Sequence, residues 1–200
     1  GKTYKIKILA LGSSIGTDGL MRAKAVLAHD IEHLKTLGEA GKLKDKIVVI
    51  DQPFDQKLIN TFVAYGACWP IRGNGTSEAA RYGAKAVLIR SLATPIDDHP
   101  HTGSMRYDED VKQIPGAAIS TQAAEELKAA LKQGEVEISL EMDCRTYPEG
   151  ISHNVIAEIK GSEFQDEIIT IGGHLDSWDV GEGAHDDGAG DHNQSLEFEN

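Results

Sequence analysis

The side chains best suited to chemistry lie in the run Gly172-Gly173-His174-Leu175-Asp176-Ser177-Trp178-Asp179-Val180-Gly181-Glu182-Gly183-Ala184-His185-Asp186-Asp187-Gly188-Ala189-Gly190. Imidazole and carboxylate are the natural donors for a zinc ion. His174 follows the apolar run Ile168-Ile169-Thr170-Ile171, and ligands in α/β folds gather where strands end at their carboxyl edge. Residues two apart in an extended chain point the same way, so Asp176 is placed to accept the second ring N–H of His174 and fix its tautomer. Asp186 and Asp187 sit among Gly183, Gly188 and Gly190, on a backbone free to bend sharply. One carboxylate there can bridge two metal ions about 3.5–4 Å apart. A lone His-x-Asp is more often structural, but joined to a Gly-rich loop and an Asp pair it reads as a metal site. Asp176, Asp179, Glu182, Asp186 and Asp187 could instead wrap calcium, yet Trp178 stands at the third position of the loop, where an EF-hand needs an oxygen ligand.

The elements that must hold these groups are legible upstream. Residues 4–11, 25–28, 46–51, 86–90, 117–120 and 136–142 are short, β-rich runs and predict strands. His29-Asp30 can cap a helix with Ile31, Leu34 and Leu37 on one stripe, stopping at Gly38 or Gly41. Ser120 or Thr121 can cap another, with Ala124, Leu127 and Leu131 inward and Gly134 as its stop. A third helical piece, residues 76–82, feeds the apolar strand Val87-Leu88-Ile89. After Tyr147-Pro148-Glu149-Gly150 the chain turns, and residues 154–159 and 167–171 predict two further strands. The reading is therefore α/β, with a domain boundary near residue 150.

Composition narrows the function. The 200 residues carry 20 basic and 32 acidic side chains, a net charge of −12, the wrong sign for collecting phosphates, which argues against nucleic acid. The last 50 residues hold one basic and twelve acidic side chains mixed with His and Gly, which is how a cation site is written. No apolar run approaches the roughly 18 residues a membrane helix needs. Two cysteines, Cys68 and Cys144, are too few for a disulfide scaffold or a four-cysteine zinc knot. Cys68 reads as an inert, partly buried thiol, and a Cys68–Cys144 disulfide stays open in an exported protein. His99 and His101 could pair on a metal, but a structural loop is the favoured reading.

The run GGHLDSWDVGEGAHDDGAG closely resembles the start of the zinc site in the co-catalytic dizinc peptidases, family 28 of the metallopeptidases, nearest to their plasma glutamate carboxypeptidase (carboxypeptidase Q-like) group and its bacterial counterparts. The likeness extends upstream through SHNVIAEIKGS, PHTGSMRYDEDVKQIPGAAIS, SEAARYGAKAVLIRS and LALGSSIGT. SEAARYGAKAVLIRS resembles the core of a protease-associated domain. The resemblance implies a β-rich protease-associated domain with flanking helices over residues 1–150. Over 151–200 it implies the first strands of a phosphorylase/hydrolase-like α/β peptidase domain. It implies two zinc ions, with His174 a ligand of one, Asp176 the carboxylate orienting it and Asp186 the bridge. Asp187 is the supporting residue, across a peptide bond that is cis in the family.

A peptide or dipeptide substrate, an extracellular or periplasmic location and room for a homodimer follow from the same resemblance. The family's later adjacent Glu-Glu, a further acidic ligand and a last His have no match here, because after Gly190 the chain reads Asp191-His192-Asn193-Gln194-Ser195-Leu196-Glu197-Phe198-Glu199-Asn200. The expectation is thus a truncated piece of a zinc exopeptidase, inactive alone. The competing expectation is a binding module that covers a substrate cleft or docks a partner without chemistry.

Overall fold

Asp51 and Arg90 close two apolar strands, and strand alternation turns both toward the same face of the sheet. In the computed structural model, which describes residues 3–178 and 180–188, these strands are β3 (Ile47–Ile50) and β4 (Ala86–Arg90). They form the centre of a six-stranded sheet with β1 (Ile8–Ala10), β2 (Met21–Ala28), β5 (Gly116–Ile119) and β6 (Glu137–Leu140), in the order β1-β5-β4-β3-β2-β6. Strands β2 to β5 run parallel, and β1 and β6 close the two edges antiparallel. The expected α/β class is what is observed. The chain divides between Tyr147 and Pro148 into two units.

Parallel strands covered on both faces read as continuous apolar runs, and the four residues of β3 and five of β4 are all buried. Val48, Ile50, Val87, Ile89 and Ala118 face one core, under α1 (Ile31–Glu39), α2 (Thr61–Gly73) and α3 (Gly75–Arg81). Ile47, Val49, Ala86, Leu88, Ala117 and Ile119 face the other, under α4 (Thr121–Gln133). Asp30 caps α1 by accepting the His33 amide at 2.7 Å, and Ser120 caps α4 by accepting the Ala123 amide at 3.0 Å. Ser120→Ala is expected to cost about 1 kcal/mol, measured as a shift in urea midpoint at unchanged slope.

Helix α2 was not legible. Its buried stripe Ala64, Cys68 and Ile71 has helical spacing, and Asn60 caps it by accepting the Phe62 amide at 3.0 Å. Gly66 and Pro70, both inside the helix, hid the pattern, since an interior proline forfeits one hydrogen bond. The 25-residue connection from β4 to β5 is pinned to α3. Arg81 pairs with Asp108 at 2.7 Å and Asp110 at 2.6 Å, and Ser77 Oγ donates to the Arg106 carbonyl at 3.1 Å. Both cysteines are free thiols, so the disulfide is not made. Burial pushes the Cys68 thiol up, with only partial relief from Arg90, as an inert thiol requires. Among the described residues no helix is long and apolar enough to cross a membrane.

The second unit corrects the sequence reading. Residues 148–178 contain neither strand nor helix, so the strands expected at 154–159 and 167–171 do not form and His174 does not leave a strand edge. Their apolar side chains face solvent, Ile156 at 88% and Ile168 at 89% exposure. Alternating hydrophobicity supplies a face but no hydrogen-bonding neighbour, and two strands alone are marginal in water. Limited proteolysis is expected to cut first within 148–178 and leave a resistant product ending near Tyr147. First cuts between Lys46 and Ile119 would place the stable core elsewhere.

Candidate metal centre

The loop after residue 171 folds on itself through short-range bonds. Gly181 N–H donates to the Trp178 carbonyl at 2.8 Å, Ser177 Oγ to the Gly181 carbonyl at 3.2 Å, and Gly188 N–H to the Gly183 carbonyl at 2.8 Å. Gly183 sits at φ 68, a left-handed conformation that favours glycine. A Cβ on Gly188 would lie 2.8 Å from the Gly183 carbonyl oxygen. These two positions let the chain turn back so that Asp186 reaches His174.

The structure brings His174, Asp176, Asp186 and Asp187 together. His174 Nε2 lies 2.8 Å from Asp186 Oδ1. Its Nδ1 lies 2.8 Å from the Asp176 main-chain carbonyl oxygen and 3.3 Å from Asp176 Oδ1. The nearer partner of Nδ1 is therefore the backbone of Asp176, which the sequence reading missed because residue type says nothing about a carbonyl. The His174 amide donates to Asp187 Oδ2 at 3.3 Å, and the Asp186–Asp187 peptide is cis. The Asp176 carbonyl on one ring nitrogen and the Asp186 carboxylate on the other raise His174 above the ordinary histidine range.

An imidazole nitrogen beside a carboxylate oxygen, with the second nitrogen already engaged, suits zinc in donor type. The number falls short. No group of three or more His, Cys, Asp or Glu side chains among the described residues is arranged to hold a metal ion, whereas an open catalytic zinc takes three protein ligands. The calcium reading includes Asp179, which, like Asp191 and His192, lies outside the described residues. In the first unit, His99 turns on Asp97, its amide donating to Asp97 Oδ1 at 2.9 Å, and the His101 amide donates to Ser91 Oγ at 2.8 Å. The two belong to a hydrogen-bonded loop, as expected.

The Peptidase family M28 profile matches residues 154–191, a stretch that contains the whole His174–Asp187 arrangement. The resemblance to family M28 holds. Carboxypeptidase Q of Homo sapiens is 40% identical over 94% of this chain, and that of Xenopus laevis is 42% identical over 92%. The crystal structure of a Peptidase M28 precursor from Shewanella amazonensis superposes with a TM-score of 0.85 at 45% identity, over 92% of this chain and 41% of that one. A carboxypeptidase is a hydrolase, the enzyme class the sequence reading expected. The chain spans 38% of the length of the carboxypeptidase Q relatives.

Proposed function

We propose that these residues belong to an M28-type zinc exopeptidase acting on peptides or dipeptides, with residues 1–147 as its protease-associated domain and the 172–190 loop as part of its metal site. What carries the reading is the 2.8 Å pairing of His174 Nε2 with Asp186 Oδ1 inside the stretch matched by the family profile. His174 and Asp186 would hold zinc, with Asp186 shared between two ions. Zinc bound there would polarise a peptide carbonyl and activate water for attack. The Asp176 carbonyl fixes which ring nitrogen of His174 carries the proton and so leaves the other to the metal. Asp187 holds the His174 backbone through its amide. The location that goes with this reading is extracellular or periplasmic, and a homodimer of the whole protein is part of it.

Residues 1–200 alone are expected to show no turnover of dipeptides with added zinc. The general base, typically worth about 10²–10⁴-fold, and the remaining ligands have no match in this sequence. Zinc-dependent turnover by residues 1–200 that disappears in His174→Ala would overturn the partial-site reading. The alternative, a binding module without chemistry, is favoured by one observation: residues 3–147 carry two cores of their own on the faces of one sheet.

A further inference from the structure

Between the segment after β3 and the first turns of α2 lies a cleft of about 310 Å³, at the small end of the about 300–1,000 Å³ that small-molecule sites occupy. Phe54, Leu58 and Ala64 supply apolar wall, Thr61 and Thr94 supply hydroxyls, and Asp55 supplies the charge. The wall is braced: the Phe54 ring meets Tyr65 edge-on at 6.5 Å, and the Arg72 guanidinium lies 5.2 Å from the Tyr65 ring centre. Between the lining residues in sequence stand large apolar side chains held in water, Ile59 fully exposed and Phe62 at 83%, with Val63 at 53%. Large apolar side chains left exposed in one short stretch are a feature of binding surfaces. Asp55 Oδ1 accepts the Lys57 amide at 3.0 Å, which fixes the carboxylate at the rim.

We propose that this cleft is a subsite for the bulky apolar side chain of a peptide whose free amino group pairs with Asp55. The choice of a peptide as occupant rests on the peptidase reading. Its volume suits one large side chain, and its single charged wall group is complementary to an ammonium and repels a carboxylate.

The test is a titration of residues 1–200 with phenylalaninamide, glycinamide and N-acetylphenylalaninamide, followed by amide chemical shifts. Phenylalaninamide is expected to shift Thr61, Ala64 and Thr94 saturably, and glycinamide to leave them unmoved. Acetylation or Asp55→Asn is expected to weaken binding about threefold, as for loss of one exposed ion pair, and Leu58→Ala to weaken it as well. Both substituted side chains lie at the surface, so folding is retained. Equal shifts with glycinamide, absence of saturation, or indifference to both substitutions would overturn the proposal. So would self-association that protects the same amides while phenylalaninamide leaves them unmoved, because the face would then belong to a second copy. Binding is read without metal or turnover, so its failure is distinct from failure of the zinc assignment.

Discussion

Asp51→Ala is expected to destabilise the first unit by about 3–5 kcal/mol, the usual cost of removing one partner from a buried charge pair. Asp51 is buried at the carboxyl end of β3, where its Oδ1 accepts Arg90 Nη1 at 2.8 Å and its Oδ2 lies 2.8 Å from Lys128 Nζ. The Lys128 contact is an ion pair without hydrogen-bond alignment, since Oδ2 has no hydrogen-bond partner among the described residues. Arg90 Nη1 also donates to Glu125 Oε1 at 2.7 Å, which ties α4 to both central strands. Removing Asp51 leaves Arg90, 3% exposed, and Lys128 with one carboxylate, Glu125, between them. Glu125→Gln, at a side chain 46% exposed, is expected to cost about 1 kcal/mol or less. Urea unfolding of the two variants separates these outcomes, and a loss under about 1 kcal/mol for Asp51→Ala would contradict the network's burial.

The same network sets an acid limit. Burial alone would raise the Asp51 carboxyl, but its contacts with Lys128 and Arg90 outweigh burial and hold it below the ordinary carboxylate range. Its contribution is therefore fully present above the unfolded value near 3.9 and is lost as pH falls through the lower folded value. The wild-type unfolding midpoint is expected to drop on acidification over that window, and the drop to be smaller in Asp51→Ala, which keeps the carboxyls of Asp98, Asp110 and Glu135 that Lys7, Arg81 and Lys24 also hold low.

Much of this architecture was legible because the first unit obeys local rules. Asp30 and Ser120 are caps by type and position, and residues 86–89 are apolar without interruption because β4 is covered on both faces. Legibility failed where context decides. Pro70 argues against helix, yet α2 is held by the burial of Ala64, Cys68 and Ile71. Residues 167–171 are apolar enough for a strand, but a strand needs a neighbour, and none among the described residues is paired with them. Asp51 and Arg90 read as strand ends, and only their shared parity, one step beyond Ile50 and Ile89, signals that they meet beneath α4. In the loop, the residue types His174 and Asp186 announced themselves, whereas the Asp176 carbonyl became visible only through the backbone path.

That backbone path separates the loop residues by expected effect. His174→Ala removes a donor outright and Asp186→Asn replaces an anionic carboxylate by a neutral amide oxygen, and both are expected to abolish measurable zinc binding, a larger loss than the about 10–100-fold typical of an orienting partner. Asp176→Ala keeps the carbonyl nearest Nδ1 and is expected to weaken binding by about tenfold or less. Zinc must displace a proton from His174, whose affinity for protons is raised by its two partners. Binding is accordingly expected to weaken as pH falls through a range above the ordinary histidine value near 6.5.

The measurement that tests the central claim most directly is calorimetric zinc titration of residues 1–200 beside His174→Ala, Asp186→Asn and Asp176→Ala. The expected result is weak binding in the wild type, none in the first two variants and a modest loss in the third. Zinc binding that survives both His174→Ala and Asp186→Asn would put the metal elsewhere in the chain and contradict the assignment of this loop to a peptidase metal site.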